Sequence, residues 1–427
     1  MSKTTEIETI FSRRESKVRS YCRTFDAIFT TAQGSELWDT KGQRFIDFLA
    51  GCSALNYGHN DPDMKAALIE HISGNGITHG LDLHTQAKAD FITAFENCIL
   101  KSRNLDHKVM FTGPTGSNAV EAALKIARKV TGRSNVIAFT NGFHGMTLGA
   151  LAATGNSYHR AGAGATLSGI SRLPFDGYVN GAASLELLER LLQDPSSGLD
   201  APAAILLETV QGEGGLNVAS DHWLRGVAEL ARTHGALLVI DDVQAGCGRT
   251  GPFFSFEEMG VSPDIVTLAK SISGFGLPMG LVLVRPKHDI LGPAEHNGTF
   301  RGNTHAFVTA RIAIEKFWSN DSFQHDINRR SQIVTTGLKR IAETIPGARL
   351  KGKGMMLGLD VGSGNIASAI CRRAFKDGLI IETSGAHDEV VKVLAPLTTP
   401  DTQIHEGLQI LLNAAQEIAP AAHVAAE

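Results

Sequence analysis

The chain has 427 residues, 43% of them hydrophobic and 20% charged, which is too apolar for a disordered protein and long enough for about two to three domains. Forty basic residues against 44 acidic ones leave a net charge of −4, which argues against nucleic acid or an anionic membrane as the main partner. The five cysteines, Cys22, Cys52, Cys98, Cys247 and Cys371, form no CxxC pair, so neither a disulfide framework nor a zinc site is expected.

The first 17 residues are charged and lack an apolar core, so no signal peptide is expected. The apolar runs that follow are strand-length, far below the roughly 20 residues of a membrane helix. A soluble protein of the reducing cytoplasm is the expectation. Apolar strands are predicted over 135–140, 204–208, 236–241, 265–268 and 281–284, with helices over 116–130 and 221–234 between them. Continuous apolar strands alternating with helices indicate a mostly parallel sheet covered on both faces. From about 306 the pattern changes to two long helices and then strands near 355–361, 379–381 and 390–394. Three units are expected: a large domain over 56–305, a small α+β domain over 306–427, and an N-terminal segment, 1–55, packing with the latter.

Several segments carry chemistry. Residues 113–118, Gly-Pro-Thr-Gly-Ser-Asn, lie immediately before the helical stretch 119–129, and free amides at a helix start suit a phosphate. The plainer alternative is a capped helix with Ser117 or Asn118 as N-cap. In an open parallel sheet ligands bind beyond the carboxyl ends of the strands. There the chain places Glu208, then Glu213; Asp241, then Gln244; and Lys270. A lysine against apolar walls suits Schiff-base chemistry, and an aspartate there pairs with a protonated pyridine nitrogen. Phe143 and His144 follow the strand 135–140, where the aromatic ring would cover a planar cofactor or simply fill core. His71, His79 and His84 have no carboxylate or cysteine at zinc spacing, so no metal is expected. Residues 362–367, Gly-Ser-Gly-Asn-Ile-Ala, with Glu382 further on, satisfy a loose dinucleotide fingerprint and leave a nicotinamide dehydrogenase as a rival.

The motifs together resemble the class III pyridoxal-phosphate aminotransferases over nearly the whole chain. They are Asn56-Tyr57-Gly58-His59, the segment 113–125, Phe143-His144-Gly145, the segment 208–213, Asp241-Asp242-Val243-Gln244, Gly248-Arg249-Thr250-Gly251 and Leu268-Ala269-Lys270. Within the family the likeness extends, through Phe143-His144-Gly145-Met146-Thr147 and the segment 297–303, to the branch that moves the amine of glutamate to aspartate 4-semialdehyde at the start of ectoine biosynthesis. The resemblance implies a fold type I enzyme with a mostly parallel seven-stranded sheet, and pyridoxal 5'-phosphate as cofactor.

It also implies roles. Lys270 carries the cofactor as a Schiff base, Asp241 pairs with the pyridine nitrogen, Gln244 reaches the ring 3-oxygen and Phe143 stacks on the ring. Thr115, Gly116 and Ser117 hold the phosphate, helped by Thr299 from the other subunit of a homodimer or higher oligomer. His144 and Glu208 complete the cofactor site, while Cys52, Glu213, Arg301 and Lys392 face the substrates. Those substrates would be glutamate, aspartate semialdehyde and 2-oxoglutarate. Ornithine-type relatives carry an arginine at Met146 and a tyrosine at Cys52, so an ornithine clamp is not expected. Where many relatives place an arginine for the 2-oxoglutarate carboxylate this chain has Lys392, which leaves Lys392 and Arg301 as alternative anchors. Other ω-aminotransferases, of 4-aminobutyrate or ornithine type, and diaminobutyrate supply for a different metabolite stay open.

Overall fold

A computed structural model describes residues 10–179 and 183–424; residues 1–9 of the stretch read for a signal peptide, and the last three residues, lie outside it. The centre is a seven-stranded sheet. Its order is Lys108–Phe111, Leu281–Val284, Ile265–Leu268, Leu237–Asp241, Ala204–Leu207, Val136–Phe139 and Ile170–Leu173. All strands run parallel except Leu281–Val284, which is antiparallel to both neighbours.

The inner strands are buried at every position because both faces are covered. Alternate side chains therefore enter two different cores. Val136, Ala138, Leu206 and Val239 pack with Ala119, Ala123 and Ala127 of the helix Gly116–Thr131. Phe139, Ile205 and Leu238 pack with Trp223, Leu224 and Val227 of the helix Asp221–Thr233. The Phe139 and Trp223 rings lie 4.9 Å apart, edge to face.

The helix Gly116–Thr131 is capped by Thr115, not by Ser117 or Asn118. The Thr115 side chain accepts from the Asn118 amide, and the Asn118 side chain accepts from the Thr115 amide. This capping box satisfies two donors and leaves the amides of Gly116 and Ser117 with no acceptor inside the helix.

Two smaller sheets flank the large one. In the first, Arg44–Asp47 lies between Glu36–Asp39 and Leu379–Ile380, so chain from both ends shares one sheet. The second has the order Arg349–Lys353, Met356–Asp360, Val390–Val393, Glu382–Ser384. The single strand expected over 379–381 is thus split. Leu379 and Ile380 pair with Ile46 and Asp47, whereas Glu382 pairs with Lys392 in the other sheet.

The dinucleotide alternative fails on the same topology. Met356–Asp360 is antiparallel to both neighbours, so no parallel βαβ unit forms around 362–367. Ser363 caps the helix Gly364–Lys376, and a Cβ on Gly364 would stand 2.0 Å from the His387 carbonyl oxygen. That glycine admits a loop, not a phosphate.

Arg249 ties the parts together. It is wholly buried and donates to the carbonyls of Met355 and Ala395 and to Asn56 Oδ1. Burial lowers its pKa to about 9, against a partial opposing pull from Asp47. Among the described residues no helix is long and apolar enough to cross a membrane, and no group of three or more histidines, cysteines or acids could hold a metal.

Candidate active site

The carboxyl ends of the parallel strands, with the loops that follow them, enclose a cavity of about 360 Å³. Thr115, Gly116 and Ser117 line one wall, Phe143 and His144 another, and Glu208, Glu213, Asp241, Gln244 and Lys270 also face in. Ten of the residues singled out in the sequence thus meet in one place. The reason is that each ends a strand of one sheet or lies within six residues after it.

Asp241 ends the strand Leu237–Asp241 and is held from both sides. His144 Nδ1 lies 2.7 Å from Asp241 Oδ2, and Thr267 Oγ1 donates to Asp241 Oδ1 at 3.0 Å. Thr267 is Asp241's register partner on the adjacent strand, a polar side chain inside the run Ile265–Leu268. Burial alone would lower the pKa of His144, but the hydrogen bond and charge of Asp241 outweigh it and the pKa is raised. The His144 amide in turn donates to Thr154 Oγ1 at 3.0 Å, which fixes the ring's origin.

Lys270 follows the strand Ile265–Leu268 and opens the short turn Lys270–Ser273 with φ of 55°. That left-handed conformation costs a non-glycine residue on the order of 1–2 kcal/mol. The cost is offset by the next residue. Ser271 Oγ donates to the Ser53 carbonyl at 2.6 Å and accepts from the Asn56 amide at 2.9 Å. The lysine is therefore held at the cavity by packing, and strain of this kind concentrates at functional sites.

Glu208 organises a loop. Its two oxygens accept the amides of Phe143, at 2.8 Å, and Gly212, at 3.1 Å. Burial pushes its pKa up to about 7, with His144 pulling down and Asp241 pushing further up. Gln244 donates from Nε2 to Glu213 Oε1 at 3.0 Å, while its Oε1 is buried and has no partner among the described residues.

Lys392 does not line the cavity. Its fully buried ammonium lies 3.0 Å from Glu213 Oε1 and 2.9 Å from Glu382 Oε1. Burial would raise the pKa of Glu213, but Lys392 and then Lys270 hold it down at about 2. Cys52 sits one contact further out, with the Tyr21 hydroxyl 2.8 Å from its sulfur. It belongs to a left-handed turn in which Ala50, Gly51, Cys52 and Ser53 all have positive φ. Asp47 pins the turn by accepting the amides of Leu49 and Ala50, each at 2.8 Å. Thr299 is exposed and Arg301 half-buried, and neither lines the cavity of this chain.

Reading the sequence missed Tyr21, Thr267 and the place of Glu382 beside Lys392. Only Thr267 carried a signal, as the one polar residue of an apolar strand.

Asp242, next to the paired Asp241, supplies a test of stability. It is buried; Oδ2 accepts the Ser255 amide at 3.1 Å and Oδ1 has no partner among the described residues. Burial raises its pKa to about 7 from the ordinary 3.8. Between those values the folded chain keeps a proton the unfolded chain has released, so stability falls as pH rises and the penalty is complete above about 7. Asp242→Asn is expected to stabilise by about 1–3 kcal/mol above pH 7. The gain should shrink toward pH 4, as read from denaturation midpoints across pH; a pH-independent change contradicts it.

A parallel sheet with a lysine, a paired aspartate and a glycine-flanked helix start at its carboxyl edge defines a pyridoxal-phosphate-dependent enzyme of fold type I. Comparison with known proteins gives the family. The aminotransferase class-III pattern matches residues 19–415, and the chain belongs to that family of pyridoxal-phosphate-dependent transaminases. A diaminobutyrate–2-oxoglutarate transaminase of Vibrio cholerae is 57% identical over 94% of this chain and 98% of its own. One from Vibrio parahaemolyticus is 54% identical over 96% of this chain and 98% of its own. The ornithine aminotransferase of Toxoplasma gondii superposes with a TM-score of 0.85 at 24% identity, covering 98% of this chain and 96% of that one, a likeness of fold.

Proposed function

We propose that the chain transfers the amino group of L-glutamate to L-aspartate 4-semialdehyde, giving L-2,4-diaminobutyrate and 2-oxoglutarate, as the first step of ectoine biosynthesis. The observation that carries this reading is the identity of 52–57% to five or more transaminases named for diaminobutyrate and 2-oxoglutarate, over at least 94% of the chain.

The cavity has groups to match each part of pyridoxal phosphate. The amides of Gly116 and Ser117, at the positive end of the helix Gly116–Thr131, suit the phosphate. A side chain at Gly145 could not be accommodated, since its Cβ would stand 2.2 Å from Ser117 Oγ. Asp241 Oδ2 keeps a lone pair beyond its bond to His144 and would hold a proton on the pyridine nitrogen. Gln244 lines the same cavity and would pair with a ring hydroxyl. Phe143 is half-buried at the cavity wall and would cover one ring face.

When bound, the cofactor supplies an aldehyde that captures amines and a ring that withdraws electrons from the adjacent carbon. The chain does the rest. Lys270 Nζ would hold the aldehyde and, when free, would carry the proton at the substrate's reacting carbon. Asp241, held by His144 and Thr267, would hold the proton on the ring nitrogen. Glu208 keeps Phe143 in place through the amide bonds described above.

The same reading makes 56–305 the cofactor domain, with 1–55 joined to 306–427. It also gives a homodimer in which Thr299 reaches the phosphate of the other subunit. Support comes from the exposed apolar side chains of Ile69, Ile72, Ile77, Leu81 and Leu83, and from Phe300, whose ring lies 5.2 Å from His79.

An acceptor screen with glutamate as donor tests the substrate. Aspartate 4-semialdehyde should yield diaminobutyrate and 2-oxoglutarate in equal amounts. The semialdehydes of glutamate and succinate should react at least about tenfold less efficiently, the scale of one methylene or one missing polar contact. Preference for either of them refutes the assignment.

A further inference from the structure

The reacting amine of a terminal diamine lies at Lys270, so its other end must be read elsewhere. The cluster Glu213, Lys392 and Glu382 adjoins the cavity through Glu213, which lines it. Two carboxylates share one ammonium there, which leaves one negative charge in excess. The ammonium is hidden, with 0% of its side chain exposed, while Glu213 is 33% and Glu382 12% exposed. What an incoming molecule meets is therefore carboxylate.

Both acids keep an oxygen without a strong donor, and Glu382 is tied by one ammonium where Glu213 is tied by two donors. Glu213 Oε1 accepts from both Gln244 and Lys392. Glu382 engages Lys392 through Oε1, and its other side-chain hydrogen-bond partner among the described residues is the Cys52 thiol, at 3.7 Å from Oε1 and 4.0 Å from Oε2. A thiol is a weak donor, so Oε2 retains acceptor capacity that an ammonium could use. Burial is the main force raising the pKa of that thiol, to about 12, so Cys52 stays neutral and adds no competing charge. Tyr21, half exposed, places its hydroxyl over the same sulfur at 2.8 Å, marking this as the outer side of the cluster.

We propose that Glu382 is the counter-ion for the α-ammonium of the amino acid that reacts through its terminal carbon, and so distinguishes 2,4-diaminobutyrate and its semialdehyde from terminal amines that lack an α-ammonium. This rests on the proposed substrate reading. Glutamate reacts through its α-amine and presents only a carboxylate at the far end. For glutamate the charge of Glu382 is repulsive, so one residue acts with opposite sign on the two halves of the reaction.

The test uses the holoenzyme and each half-reaction, followed by the cofactor's visible absorbance. Glu382→Gln should raise KM for diaminobutyrate by about tenfold or more, the worth of a charged hydrogen bond, with a much smaller change in kcat. KM for glutamate should fall. Efficiency with 4-aminobutyrate, which has no α-ammonium, should rise relative to diaminobutyrate. Glu382→Asp, which keeps the charge, should recover part of the diaminobutyrate affinity. Equal losses for glutamate and diaminobutyrate would mean a merely structural role and overturn the proposal, as would no change in either. If the wild type prefers ornithine, the substrate reading fails alone, and the comparison is made between ornithine and 5-aminopentanoate. If it accepts only amines without an α-ammonium, both fall.

Discussion

Lys270→Ala is expected to abolish transamination, with a loss of at least about ten-thousandfold, and to remove the visible absorbance of the bound cofactor. The magnitude follows from one amine having two tasks, nucleophile and proton carrier, since residues acting as such a unit cost that much when removed. Among the described residues no second lysine lines the cavity. The buried Lys392 nearby is held between Glu213 and Glu382. The substitution should leave the chain folded, because the turn Lys270–Ser273 is anchored by Ser271 and not by the lysine side chain. Alanine at φ of 55° keeps the local strain without the chemistry. Borohydride reduction of the wild type followed by peptide mass mapping should place a pyridoxyl adduct on Lys270. A coloured, active alanine variant, or an adduct on another residue, contradicts the assignment.

Asp241→Asn is expected to lower kcat by about a hundred- to a thousandfold while the cofactor still forms its link to Lys270. An ionised carboxylate beside a pyridine nitrogen is worth roughly 1–3 pKa units to the protonated ring, and the site is dry enough for that charge to count. The amide keeps the shape and loses the charge. It also deprives His144 of the partner that raises its pKa. His144→Ala should give a smaller decrease, because the ring acts through Asp241 and Thr267 still holds the carboxylate from the other side. The two effects should not add, since the residues share one hydrogen bond. Steady-state kcat with borohydride labelling as the measure of cofactor retention separates these outcomes. An Asp241→Asn variant with unchanged kcat excludes the electron-withdrawing role.

The cofactor side of the site was legible along the chain because parallel strands advertise themselves. A strand buried on both faces reads as an unbroken apolar run, as in Ala204–Leu207 and Leu237–Asp241, and the first charged residue after it marks the edge where ligands bind. Glu208, Asp241 and Lys270 are such residues. The N-cap was harder, because Thr115, Ser117 and Asn118 are all good caps in sequence. The choice fell to Thr115 once the reciprocal bond with Asn118 had formed.

The sequence by itself determined the five inner strands of the large sheet, two of its covering helices and the convergence of acids and a lysine at one edge, since these follow from local periodicity and from residues adjacent to strand ends; the edge strands Lys108–Phe111 and Ile170–Leu173 were not legible. Tertiary structure alone decided the cluster around Lys392 beside the cavity. Tyr21 and Cys52 come from near one end of the chain, Glu213 from the middle, and Glu382 and Lys392 from near the other end. They meet because Arg44–Asp47 pairs with Leu379–Ile380 and the chain then changes sheets, which sets Glu382 opposite Lys392. No local pattern encodes such a meeting. A buried ammonium needs its carboxylates within hydrogen-bond reach, and only the folded topology supplies them.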